Sequence, residues 1–301
     1  LSFVALLIDV LGPVVAIVAV GALAGPRLRL GNASLSRVAY WVLGPAFVFD
    51  LFVTTDLVGP TVIRLAVAGL AGMAAAVAGA VLLGRATGIS GRPLSAAVMT
   101  AAYGNVGNAG LAISAFALGQ QALAAAGVLM LTINITGVTL GVGLASASDE
   151  GLLPTLGRAL FSPMPLAGAV AFVINVIDIE IPLVVGRSTG LLAQAMIPLM
   201  LFTLGLQLAA TGRPQWRPAI GVATVAKLVL APLGAAAAAG AVGLSGDDLA
   251  VVVLQSAMPP AVFCVLVGLE YDLEPAQVTD TVVMTTLASL VTLPVVLALV
   301  A

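Results

Sequence analysis

The stretch AAYGNVGNAGLAIS, residues 101–114, sets Gly104, Gly107 and Gly110 among Tyr103, Asn105 and Asn108 inside a long apolar run. An asparagine amide both donates and accepts hydrogen bonds. Asn105 and Asn108 are three apart, so on a helix they share a face. Glycine costs about 1 kcal/mol against alanine in a helix interior, but it lets another backbone approach closely. A buried amide needs partners. A second weak segment, SAMPPAVF, covers residues 256–263. Pro259 and Pro260 each lack an N–H and clash with the preceding turn. Gln255, Ser256 and Met258 stand beside them. Two helices broken in this way expose N–H groups and a partial positive charge at half-helix N-termini, and bare carbonyls at C-termini. Meeting near Asn105 and Pro259, they would give an anion or polar substrate fixed dipoles without a full buried charge. Packing through small residues with a proline kink is the plainer reading of either segment alone. Interruptions in matching halves point instead to a transporter site.

Charged groups inside apolar runs are the next candidates. Lys227, the one lysine, lies about ten residues into such a run, where an ionisable group is costly and functional by default. It would pair with a substrate carboxylate, or else act as a structural cation on the carbonyls of a broken helix. Asp50 is either a coupling group, with Lys227 as a partner, or a carboxylate snorkelling to the outer face, the reading that nearby Asp56 favours. Asp9 and Asp280 fall near the ends of apolar runs. There is no histidine, and the lone Cys264 excludes an intrachain disulfide and a cysteine-cluster metal site. With no paired acids in the apolar runs, an intramembrane enzyme lacks its nucleophile–base pair or metal ligands. No cofactor or metal is expected.

The elements that position these residues follow from composition. The chain has 301 residues, 61% hydrophobic and 8% charged, against about 25% charged in soluble domains. Mean hydropathy is +1.21. A crossing helix needs about 20 apolar residues. The chain divides into ten such spans, near 2–24, 35–54, 60–84, 93–118, 121–145, 160–178, 187–210, 215–242, 247–269 and 277–300, separated by Gly, Pro or charge. The first stretch lacks a basic n-region and reads as a span rather than a signal peptide. The chain is expected to be one transmembrane domain over 1–301.

Arg27, Arg29, Arg37, Arg85, Arg92, Arg158, Arg213 and Arg217 fall on one side, Arg64 and Arg187 on the other. By the positive-inside rule the richer side is cytoplasmic and both termini face out. A net charge of −2 offers no basic face to nucleic acid. Two five-span units in tandem, 1–150 and 151–301, enter from opposite sides and so form inverted repeats. Pro45 and Pro198 lie 198 − 45 = 153 positions apart, as do Asn105 and Met258, and Gly12 and Pro165.

YGNVGNAGLAIS resembles the span-4 signature of the auxin efflux carrier family of permeases, whose usual form is close to G-N-x-G-x-x-G-L-P. VLGPAFVFDLF resembles that family's Leu-Pro-rich span 2, with Gly44 where leucine is common. LQSAMPPAVFCVLVGLEYDLEPAQVTDTVVMTTLASLVTLP resembles its span 9–10 region. Ala112 departs from the pattern, which usually has proline there, so the break in span 4 would rest on Gly107, Asn108 and Gly110. The resemblance implies a bile-acid-symporter-like fold, with spans 1, 2, 6 and 7 as scaffold and spans 3–5 and 8–10 as a mobile core. It implies elevator-type transport of small organic anions, auxin-like or dicarboxylate, across the inner membrane. A homodimer through scaffold spans is expected, in the lipid bilayer. The alternative is a sodium- or proton-coupled symporter of the same fold for another substrate. The acids that related proton antiporters and sodium-coupled carriers use at the crossing are absent here, span 9 offering only Gln255 and Ser256.

Overall fold

A computed structural model describes residues 12–28, 30, 32–54, 59–145, 161, 163–177, 179–210 and 214–300. Asp9, Arg29, Asp56, Arg158 and Arg213 lie outside the described residues. Within them the secondary structure is helical apart from one isolated β-bridge. In chain order the helices are α1 (Gly12–Leu28), α2 (Asn32–Val38), α3 (Gly44–Thr54), α4 (Gly59–Ala86), α5 (Gly91–Ala102), α6 (Leu111–Leu118) and α7 (Ala122–Ala145). Then follow α8 (Pro163–Val176), α9 (Leu183–Ala210), α10 (Pro218–Val225), α11 (Ala231–Ala241), α12 (Gly246–Ser256), α13 (Phe263–Glu270) and α14 (Pro275–Val300). Among the described residues five helical stretches are long and apolar enough to cross a membrane: Ser34–Thr54, Gly59–Ala86, Leu183–Ala210, Pro218–Ala241 and Pro275–Val300. The protein is an all-helical, multi-pass membrane protein.

Among the described residues three π turns interrupt the α-helical ladder, at Ala39–Leu43, Val106–Gly110 and Ala226–Leu230. Two have a local cause. Pro45 and Pro232 lack an N–H, and their rings press on the carbonyl four residues back. Widening the turn just before the proline relieves that pressure. Accordingly the N–H of Gly44 bonds to Ala39 O, and that of Ala231 to Ala226 O, each five residues back.

Packing falls into two groups. In one, α9 lies against α1 and α3, and α8 against α3. In the other, α4 packs on α5, α7 and α11, α12 on α7 and α11, and α10 on α14. Lipid supplies no hydrophobic drive between helices, so close backbone approach through small residues matters. A Cβ at Gly21 would lie 2.1 Å from Phe202 O, and one at Gly205 2.0 Å from Val18 O, so α1 and α9 touch backbone to backbone. In the second group a Cβ at Gly72 would lie 2.9 Å from Ala231 O. The groups meet where the π turn 106–110 and α6 pack on α9, and where α3 packs on α7. At the last contact Leu51 fills the notch left by Gly127.

Candidate functional site

The second packing group contains two interrupted helices that meet at their breaks. α5 ends at Ala102, and helix resumes with the π turn at Val106. α12 ends at Ser256 and α13 begins at Phe263. The extended backbones between them pair antiparallel: Asn105 N–H donates to Pro259 O at 2.7 Å, and Ala261 N–H donates to Tyr103 O at 2.9 Å. Gly104 and Pro260 face each other as the non-hydrogen-bonded pair of this short ladder. Pro260 therefore occupies a position whose own N–H the pairing does not use, and Pro259 contributes its carbonyl alone. Asn105 is buried, and its carbonyl accepts from Gly110 N–H at 3.0 Å, which starts the π turn.

The break lies earlier than Gly107, Asn108 and Gly110, where the sequence places it. It falls at Tyr103, Gly104 and Asn105, because those residues give their backbone groups to the partner strand. With Ala112 in place of a proline, helical bonding continues through Gly110 into α6.

Lys227 is 3% exposed and sits in the π turn between α10 and α11. A Cβ on Gly104 would lie 2.8 Å from Lys227 Nζ, 3.0 Å from its Cε and 3.5 Å from Met258 O. The ammonium thus lies at the crossing, and glycine at 104 leaves it room. No carboxylate among the described residues pairs with it; the ion pairs found are Arg92–Asp272 and Arg217–Asp280, both at 3.8 Å. Asp50 is placed elsewhere, with Oδ1 3.4 Å from where a Cβ of Gly190 on α9 would be. It belongs to the α3–α9 contact rather than to Lys227.

Tyr103, Gly104, Asn105, Met258, Pro259, Pro260 and Lys227 are therefore brought together. Gly107 and Asn108 are half-buried in the π turn that packs on α9. Gly110 accommodates the Gln255 side chain, whose Oε1 would lie 2.1 Å from a Cβ there. Gln255 Nε2 donates to Ser114 Oγ at 3.3 Å, while its Oε1 is buried without a partner among the described residues. Ser256 points the other way, its Oγ 2.9 Å from a Cβ on Gly72 of α4.

Sequence reasoning missed Asn134 and Phe263. The Tyr103 hydroxyl donates to Asn134 Oδ1 on α7 at 2.8 Å, and the Tyr103 ring stacks edge-to-face on Phe263 with centroids 5.6 Å apart. A lone amide inside the apolar run of α7 was the available signal for Asn134. Among the described residues no group of three or more His, Cys, Asp or Glu could hold a metal ion. The groups that meet at the crossing are half-helix ends, the Asn105 amide and the Lys227 ammonium.

Residues 151–297 match the family described as membrane transport protein. The chain is 27% identical to an uncharacterized transporter of Methanothermobacter thermautotrophicus over 87% of each chain. It is 28% identical to a protein of Rhizobium meliloti named provisionally as a malonate transporter, over 64% of this chain and 62% of that one. An uncharacterized transporter of Escherichia coli is 25% identical over 56% of this chain and 55% of its own length.

Proposed function

We infer, from the match of residues 151–297 to the membrane transport protein family and the likeness to the transporter relatives, that the chain is a secondary carrier of small organic anions with its substrate at the crossing of the two broken helices. One observation carries this reading: a buried lysine lies against a backbone-paired break in two helices. The negative ends of α5 and α12 point into the crossing beside Lys227. The positive ends, at the start of the π turn 106–110 and before α13, remain for a carboxylate, with Asn105 and Asn108 as amide donors at the first. Each positive end supplies roughly half a unit of charge. The Rhizobium meliloti relative's name favours a dicarboxylate over an auxin-like acid.

The two packing groups suit an elevator motion, in which the group holding the crossing slides along α9 and α3. In this reading the chain has ten spans as two inverted five-span repeats, with both termini outside the inner membrane. A homodimer through the α1, α3, α8 and α9 group completes it. The rival reading is a sodium- or proton-coupled symporter for another substrate. The unpaired buried Oε1 of Gln255 favours it.

Proteoliposome uptake tests the proposal. Reconstituted protein should take up radiolabelled malonate without a sodium gradient. Asn105→Ala should reduce uptake at least tenfold, the loss expected when a charge-assisted hydrogen bond of about 1.5 kcal/mol or more is removed. Its melting temperature should stay near wild type, because the ladder uses only the backbone of Asn105. A well-folded Asn105→Ala protein that transports at the wild-type rate would make Asn105 a packing residue. Uptake that appears only with a sodium gradient would favour the rival.

A further inference from the structure

We propose that Asn134, oriented by Tyr103, is a second polar subsite that selects acids bearing a second hydrogen-bond acceptor. The inference rests on the anion-carrier reading and narrows its substrate. Asn134 belongs to α7 and is half-buried. The Tyr103 hydroxyl donates to its Oδ1 at 2.8 Å. That bond commits the amide oxygen as acceptor and turns the NH2 group, with two donors, away from the tyrosine. The tyrosine is itself immobilised: its ring fits the notch of Gly137, where a Cβ would lie 2.6 Å from Cδ2, and stacks on Phe263.

The neighbours of Asn134 place its stretch of α7. One turn earlier, Met130 Sδ is 3.6 Å from where a Cβ on Gly107 would be, so this face of α7 borders the half-buried π turn. Leu131 reaches Gly168 of α8 in the other packing group, 3.3 Å from the corresponding position. Asn134 thus lies beside the seam between the groups, on the side of Gly107 and Asn108. A carboxylate held at the crossing would have its far end one tyrosine side chain away from the crossing backbone, within the reach of these donors. An apolar tail there would leave the amide donors unpaired, which a site built for hydrogen bonding penalises. The favoured class is a short acid whose second group accepts hydrogen bonds.

The test uses the purified full chain in lipid nanodiscs, with malonate and propionate as probes, titrated calorimetrically. Propionate replaces the second carboxylate with a methyl group. Wild type should bind malonate more tightly. Asn134→Leu should weaken malonate roughly tenfold and leave propionate within about twofold, the size of one hydrogen bond to a charged group. Tyr103→Phe keeps the ring in the Gly137 notch and frees the amide to rotate, so it should lower the malonate-to-propionate ratio by a smaller factor. Equal losses for both acids, or an unchanged ratio in folded variants, would overturn the subsite. Should Asn134→Leu fail to fold, the ratio in Tyr103→Phe decides alone. Wild-type protein that binds neither acid would overturn the anion-carrier reading itself, and this inference with it.

Discussion

Lys227→Met should weaken malonate binding by about two to three powers of ten while leaving the protein as stable as wild type or more so. The magnitude follows from Coulomb's law: unit charges about 4 Å apart attract by about 4 kcal/mol at an effective dielectric constant of 20. The opposite sign on stability follows from burial. Lys227 is 3% exposed and has no carboxylate partner among the described residues. Replacing such a buried charge with an apolar side chain of similar length is often neutral or stabilising. Lys227→Arg keeps the charge but brings a wider head group to a place where a single Cβ on Gly104 would already lie 2.8 Å from Nζ. It should therefore bind more tightly than Lys227→Met yet below wild type, at some cost in melting temperature. Calorimetric titration and thermal unfolding of the three proteins check both signs. Wild-type malonate affinity in Lys227→Met would make Lys227 a structural cation for the half-helix carbonyls and leave the anion to dipoles and asparagines.

The sequence marked the breaker residues because their signals are local. Two adjacent prolines and three closely spaced glycines weaken a helix wherever they stand, so Pro259, Pro260 and Gly104 could be picked out without a partner in view. The register of the break could not, because it depends on which backbone groups the other strand claims. The pairing of Asn105 with Pro259 draws the break to residues 103–105, ahead of the glycines expected to hold it. The same limit applies to side chains. Lys227 was visible as an ionisable residue in an apolar run, but its approach to Gly104 joins residues 123 positions apart in sequence (227 − 104 = 123). Asn134 was passed over because one amide in a span is ordinary. Its meaning comes from Tyr103, which the break alone turns toward α7. Asp50 shows the reverse case: a charge in a span drew a coupling role on sequence grounds, and the fold sets it against Gly190 of α9.

Gly205→Ala should lower stability by about 1–3 kcal/mol, the usual cost of overpacking a close contact, although alanine is the better helix former. The added Cβ would lie 2.0 Å from Val18 O and 2.8 Å from Ala22 N. Both neighbours are backbone atoms of α1, so no side-chain rotation relieves the clash and the two helices must move apart. Separation breaks the companion contact, where Gly21 meets Phe202 O. The matched control is Gly240→Ala on α11, where a Cβ would have no neighbour within 4 Å. There the helix propensity of alanine acts alone and should raise stability by up to about 1 kcal/mol. Thermal unfolding in one detergent should thus move in opposite directions for the same chemical change. The pair also probes the two packing groups. Gly205 lies in the α1–α9 contact, away from the crossing, so malonate affinity below the unfolding range should survive Gly205→Ala if the groups behave as separate bodies. An affinity that falls in step with stability would mean that the crossing depends on the α1–α9 contact, and would count against a core that slides as a unit.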